Sequence, residues 1–442
     1  MHFYTALHRF GWGPQPNNEP KDSPASLQKW LHNQLQSPQK ALLKGTFENS
    51  NSLTKQMTSI RGKKDRDQKK RIREAIKNTY MQETEARFLH SLNTDAPFLD
   101  RLVHFWSNHF TVSTAGKPQL SGLVGVFERE AIRPNVLGKF SDMLLAVVAH
   151  PAMLNYLNNM TSFGPNSRMG KRRNRGLNEN LAREILELHT LGVNGGYTQK
   201  DVIALAKIIT GWTITPAKMG GGGFQYIDVI HEPGTHILLG KSYPQNGQQQ
   251  GIDALRDLAH HPSTARFIAT KLARHFIADN PPDSTIKHLE KVFKKTDGDL
   301  KAMAETLIEL PEIEKYPLSK IKTPYELIIS TMRLLGDGAN KADYRKIFQS
   351  LALMDHRPFA APSPAGWPDK AEDWISPNAT LNRVEWCHAV SNITGIKDNP
   401  LDIAKHSFGQ LANPETLTWI ERAPSGTQGL ALMLASPEWQ RR

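Results

Sequence analysis

Helical periodicity, broken repeatedly by proline and glycine, limits this chain of 442 residues to a mainly α-helical body. Apolar residues recur at three- and four-residue intervals in Pro24–Gln36, Lys55–Leu92 (with a break near Tyr80), Pro97–Phe110, Leu120–Ile132, Leu137–Val148, Glu179–Leu191 and Gln199–Thr210. The same period returns in Gly251–His260, Ser263–Ala278, Ser284–Lys294, Leu300–Leu310, Pro324–Leu335, Asp343–Leu353 and Asn378–Ile393. Each stripe must be buried against another, so the segments predict one large helical domain over residues 1–442. Ser23, Asn178, Thr198, Ser263, Asp299 and Thr323 are the expected N-caps, and Ser23 and Thr323 are each followed by a proline. One stretch departs from the helical period. "GGGGFQYIDVIHEPGTHILLG" alternates from Phe224 to Ile230, turns at "HEPGT" and returns through "HILLG". It predicts a small β-hairpin insertion at 220–240. There is no internal repeat and no heptad run.

Charge narrows the function classes. The net charge is +12, concentrated in Arg61–Lys77 and Arg168–Gly176. Asp65 and Asp67 are interspersed in the first block, as on a solvated helix face. The second block has no acid, carries Gly170 and Gly176, and reads as a loop that either draws in an anion or is a plain surface segment. Nucleic acid is not the expected partner, because no aromatic-interleaved basic strand, zinc-finger spacing or basic zipper is present. No apolar run approaches the ~18 residues of a membrane span. The N-terminus lacks the pattern of a secretory leader. The chain as written is therefore expected in the cytoplasm, or in the periplasm or outside if a leader was removed. A single cysteine, Cys387, excludes an internal disulfide and a cysteine-based metal cluster.

Two residues break the apolar arcs. On a regular helix Leu177, Leu181, Ile185, Leu188 and Leu191 share one face, and Glu184 falls inside it, with Asn180 and Glu187 on one flank and His189 on the other. His109 sits similarly inside the arc of Phe98, Leu102, Phe105 and Trp106, while His104 and Asn108 share the polar side with Asp100 and Arg101. A buried acid and a buried imidazole are expected to meet, as an acid/base pair or as part of a metal site. Glu184 and His109 are the candidate catalytic residues. Asn180, Arg183, Arg172, Arg173 and Lys271 are the candidate substrate contacts. Lys271 and His275, four apart on one helix rim, are candidate anion contacts. His231 and Glu232, at the expected turn, are candidate ligands for a divalent metal, against the plainer reading of a polar surface turn. Glu187 and His189 point apart on a helix and cannot share one ion from it. No P-loop, dinucleotide fingerprint, nucleophile elbow or H-E-x-x-H motif occurs.

The stretch Asp355–Pro377 holds Trp367 and Trp374 among several prolines. Indole rings are unfavourable when wet, so this segment is expected to pack over the helical body beside the Glu184 helix, as a pocket wall or as a plug.

The segments "LHRFGWGP", "HFWSNHFTVS", "HPAMLNYLNN", "RGLNENLAREILELHTLGVNGGYTQKDVIALAKIITGWT", "HEPGTHILLG", "HPSTARFIATKLARHF", "SPAGWPD" with "WISPNATLNR", and the final "LASPEWQ" resemble the bacterial DUF1800 family, in order and over nearly the whole chain. The family has no settled activity. Where its members typically show His-Asp-x-Gly, this chain has His231-Glu232-Pro233-Gly234, which leaves the ligand role of Glu232 open. The resemblance implies an alkaline-phosphatase-like partner and a phosphorylated or sulfated substrate, by association alone. Two functions remain open. One is an enzyme acting on an anionic small molecule or saccharide. The other is a non-catalytic helical accessory protein whose buried pair only fixes helix register.

Overall fold

Proline marks where many helices start. Pro24–Gln34, Pro97–His109, Pro151–Tyr156, Pro262–Phe276, Pro324–Leu335, Pro377–Thr394, Pro400–Phe408 and Pro414–Glu421 all begin on it in the computed structural model, which describes residues 3–16, 23–60, 66–336, 343–394 and 398–442. Proline has its φ already set, and its missing N–H has no partner in a first turn anyway. In several of them the preceding side chain closes the cap, although Ala96, before Pro97, has none to offer. Thr323 Oγ1 accepts from Glu326 N at 3.3 Å, and Glu326 Oε2 accepts from Thr323 N at 2.7 Å. Ser23, Thr198 and Asp299 cap their helices as expected. Two caps shift by a residue or two. Glu179 precedes the Asn180–Glu184 helix in place of Asn178. His261 replaces Ser263, its Nδ1 accepting from Ser263 N at 3.1 Å, because Pro262 takes the first helical position.

The protein is mainly α, with two two-stranded antiparallel sheets among the described residues. Among these residues no helix is long and apolar enough to cross a membrane. Short helices such as Phe3–Arg9 and Gly426–Ala435 were not expected from the sequence, because few turns leave little period to see. The single hairpin expected at 220–240 is instead two. Phe224–Tyr226 pairs backward with Trp212–Ile214, and His236–Leu238 pairs forward with Lys241–Tyr243. Leu239 and Gly240 both have positive φ (49° and 77°), which suits a two-residue turn matching strand twist. The strands therefore close at "LG" and not at "HEPGT". The basic stretch expected as a loop is in part a short helix, Arg168–Arg173, begun by Ser167 Oγ accepting from Gly170 N at 3.0 Å. Of the first basic block, residues 61–65 lie outside the described residues, and the rest starts the Arg66–Asn93 helix with most of its charges exposed.

Two helices widen to π-helix, at Glu128–Ile132 and at Ile185–Thr190. The wider coil turns each residue less around the axis, so the face presented to the core changes along the helix. This overturns the arc drawn for Glu184. Leu181, Ile185 and Leu186 are buried, but the next buried residue is His189, expected on the flank, while Glu184 and Leu188 are only half-buried. In the first π-segment the geometry brings Glu128 and Arg133, five apart, onto one side, where Glu128 Oε1 meets Arg133 Nη2 at 2.8 Å.

The main core joins the N-terminal helices to the central ones through residues such as Phe10, Leu99, Val124, Leu144, Ile185, Leu205 and Ile268. A second cluster packs Phe88, Ile328 and Leu351, and a third packs Cys387, Phe408, Leu430 and Trp439. The proline–tryptophan stretch folds over the body, as expected, but on the Pro97–His109 helix and the segment after it. Asn108 and Trp367 bond reciprocally, Nδ2 to the Trp367 carbonyl at 2.8 Å and Trp367 N to Oδ1 at 2.7 Å. Ser113 Oγ donates to the Ala361 carbonyl at 2.6 Å. Gly366 makes the approach possible. Its φ is +85°, and a Cβ there would lie 2.5 Å from the Asn108 carbonyl oxygen. Gly366→Ala is expected to lose about 1–3 kcal/mol through backbone strain and lost docking, read as a lower midpoint in urea. An unchanged midpoint would mean that the loop does not depend on this contact.

Candidate active site

The Pro97–His109 helix is buried on nearly every side. Asp100 and Arg101, assigned by period to its polar face, are 1% and 2% exposed. Buried charges persist only when paired. Arg101 bonds Glu326 and lies 4.6 Å over the Trp12 ring. Arg442 Nε reaches the same Glu326 oxygen at 3.0 Å. Burial disfavours the Glu326 carboxylate, but Arg442 and then Arg101 outweigh it and hold its pKa well below the usual range. Asp100 accepts from Trp12 Nε1 at 3.0 Å and from Ser91 Oγ at 2.6 Å, with Arg133 at 3.4 Å. Glu128 joins Arg133 to Arg87, whose Nε donates to it at 2.8 Å.

A cleft of about 100 Å³ opens over this network. Trp12, Tyr325, Phe359 and Trp367 supply rings to its wall, and His104, His275, His356, Arg87 and Asp369 line it too. Four stretches named above for their family resemblance meet here, contributing Trp12, His104 with Asn108, His275, and Trp367 with Asp369. The loop that carries Trp367 is therefore a cleft wall.

The hydrogen bonds assign the imidazole tautomers. His275 Nδ1 lies 3.3 Å from the Asp369 carboxylate, so it carries the proton and leaves a lone pair on Nε2. Burial, then the charge of Arg442, lowers the His275 pKa to about 4 despite Asp369. For Asp369 burial acts upward, but the His275 hydrogen bond, the charge of His275, and then Lys271 and Lys320 bring it down to about 2. His356 Nδ1 accepts from Tyr325 N at 3.2 Å, which puts its proton on Nε2. Ser91 has donated its only proton to Asp100, so His104 Nε2 donates to Ser91 Oγ at 3.1 Å. Arg87 stacks between the Tyr325 and Phe359 rings (5.1 and 4.9 Å), and its two amino groups make no hydrogen bond to another described residue. The rings lining the cleft thus carry two lone-pair nitrogens, His275 Nε2 and His104 Nδ1, beside one imidazole N–H and one guanidinium.

The family model described as "Protein of unknown function (DUF1800)" matches residues 5–441. The chain belongs to this family. No protein of curated function and no solved structure matches it.

This DUF1800 chain does not join Glu184 to His109. His109 is buried, and its Nε2 bonds the His189 carbonyl at 3.1 Å. Burial first, then Lys271 and His189, holds its pKa well below the ordinary imidazole value. Glu184 has no hydrogen bond or ion pair to a described residue, and its pKa is raised by burial and by Glu187, with Arg183 opposing. Arg183 instead contacts Gln199 at 3.1 Å and Glu179 at 3.4 Å. Asn180, Arg172 and Arg173 are exposed, and none lines the cleft. Glu232 is not on an outward turn: it is 2% exposed, with both oxygens held by Asn166 at 2.8 and 2.7 Å. His231 Nδ1 bonds the Thr210 carbonyl at 2.8 Å. Among the described residues no three His, Cys, Asp or Glu side chains converge as a metal cage. Of the expected anion contacts, His275 lines the cleft and Lys271 lies near it, its charge bearing on Asp369. Sequence reasoning passed over Asp369, Glu326 and Arg87. The available signal was "SPAGWPD", an acid two residues after a tryptophan in a stretch expected to pack.

Buried neutral imidazoles make stability depend on pH. Burial, the first cause in each case, lowers His8, His189 and His356 from 6.5 to about 3 and His275 to about 4. The unfolded chain then binds these protons first. Stability is full above about pH 6.5 and falls as pH drops toward 3–4, with each such histidine contributing up to about 1.4 kcal/mol per pH unit. Urea midpoints should be flat from about pH 8 to 7 and clearly lower at about pH 5. A midpoint at pH 5 equal to that at pH 7 would mean that these rings are not held neutral.

Proposed function

We propose that this protein is an acid–base enzyme, with its active site in the His275–Asp369 cleft, acting on a small anionic group of its substrate. The observation that carries the reading is the His275 Nδ1 contact to Asp369 at 3.3 Å, which leaves Nε2 as a base in a cleft lined by free donors. In the proposed step Nε2 takes a proton from a water molecule. The resulting hydroxide attacks a phosphoryl or sulfuryl centre, the ester bond to the leaving oxygen breaks, and the imidazolium, steadied by Asp369, returns its proton to that oxygen. Arg87 and the His356 Nε2–H hold the charge that grows on the attacked group. Lys271 acts one layer back, through its charge on Asp369.

The cleft size supports a terminal group as the target. About 100 Å³ is less than the roughly 150 Å³ cavity known to take benzene, so a tetrahedral or planar anion fits and the rest of the ligand lies in the mouth. The aromatic walls suit a sugar or another ring-bearing scaffold there.

p-Nitrophenyl phosphate and sulfate test the reading. The wild-type chain should turn over at least one of them, with a rate that is level above about pH 6 and falls as the pH approaches the His275 value of about 4. His275→Gln should lower that rate roughly 100-fold or more and Asp369→Asn about 10-fold or more, with melting temperatures near wild type. Equal rates in wild type and His275→Gln, or no turnover of either ester, would contradict the proposal.

A further inference from the structure

A second cavity, of about 830 Å³, lies beyond the cleft wall, between the Ser50–Ile60 and Arg66–Asn93 helices and the residues around Leu123. The partition is the segment that begins the proline–tryptophan stretch. His356, Pro358 and Phe359 line the cleft, and Arg357 lines the larger cavity. Tyr80, on the cavity side, fixes this partition by donating its hydroxyl to the Pro358 carbonyl at 2.5 Å.

The lining has two chemistries. Met57, Met81, Met160, Ile76, Leu123 and Phe348 form an apolar, adaptable interior; three thioethers in the lining let it fit ligands of irregular shape. Arg73, Lys77 and Arg357 stand on the same lining, all exposed, and among the described residues they have no acid partner and no Asp or Glu lines the cavity. Two of these cations belong to the basic block that the sequence set apart and that the proposed reaction does not use. A third observation points inward. Thr54 is 3% exposed, lines the cavity, and its hydroxyl has no hydrogen-bond partner among the described residues. Buried hydroxyls are normally satisfied, so this one is available to a polar atom of an occupant.

We propose that this cavity binds an amphiphile with one anionic head and an apolar body, such as a single-chain carboxylate or sulfate. The volume is in the range of small-molecule sites. The apolar body lies among the methionines, and the head meets the Arg73, Lys77 and Arg357 cluster, where charge sign decides the ligand class. This site is independent of the His275 chemistry.

Displacement of 1-anilinonaphthalene-8-sulfonate from the full-length protein tests the proposal, with dodecanoate and dodecyltrimethylammonium as competitors below their micelle concentrations. Dodecanoate should displace the probe at a concentration about ten-fold or more lower than the cation of equal chain length, in the unaltered protein. The triple variant Arg73→Ala, Lys77→Ala, Arg357→Ala should reduce this ratio to about one, since all three side chains are exposed and the fold does not rest on them. Met57→Trp, which fills the interior, should weaken both competitors about ten-fold or more. Equal displacement by anion and cation in the wild type, or a Met57→Trp protein that binds as the wild type does, would overturn the proposal.

Discussion

Arg101, Glu326 and Arg442 meet inside the protein, and the arrangement of the rest follows from the need to keep that meeting intact. Arg101 comes from the Pro97–His109 helix, Glu326 from the first turn of the Pro324–Leu335 helix, and Arg442 from the last residue described. Burial opposes the charged form of each group, and lowers the Arg101 pKa to about 10. Only mutual pairing restores it, so removal of one member leaves a stranded charge at a cost of about 3–5 kcal/mol. The pairing also has a geometric effect. Arg101 stacks on Trp12, Trp12 bonds Asp100, and Asp100 holds Arg133, so early, middle and late parts of the chain are tied at one place.

The cleft is a consequence of this tie. Groups used up in the network form its floor, and groups left over form its chemistry. Arg87 gives one nitrogen to Glu128 and keeps two amino groups without a hydrogen bond to the described residues. His275 gives Nδ1 to Asp369 and keeps Nε2. The proline–tryptophan stretch then closes one side through the reciprocal Asn108–Trp367 bonds. One wall serves two spaces, because the same stretch separates the cleft from the larger apolar cavity. A stiff, proline-rich backbone suits a partition, since it loses little entropy on docking.

Helix class, most helix positions and the family were legible in the sequence, because period, proline and capping residues are local signals. Glu184 shows where such signals fail. Its place in an apolar arc assumed uniform α-helical phase, and the π-turn at Ile185–Thr190 turned His189 inward instead. Asp100 and Arg101 show a second failure. Period assigned them to a solvated face, but their partners Arg133 and Glu326 come from distant sequence. The hairpin failed for a third reason: a strong turn signal at "HEPGT" outweighed the weaker Leu239–Gly240 turn that closes a strand pair. Lys271 and His275 were noted from spacing alone, but what they face, Asp369, is nearly a hundred residues away, beyond the reach of any helical spacing.

The central claim is that His275 is a neutral imidazole with its proton on Nδ1 and its Nε2 lone pair in the cleft. Two-bond proton–nitrogen correlation spectra of protein labelled with ¹⁵N-histidine, with His275→Gln for assignment, read this directly. The expected result at neutral pH is the Nδ1–H tautomer for His275, lost or mixed in Asp369→Asn, with protonation only as the pH falls toward about 4. An Nε2–H tautomer, or a charged His275 ring at neutral pH, would contradict the account.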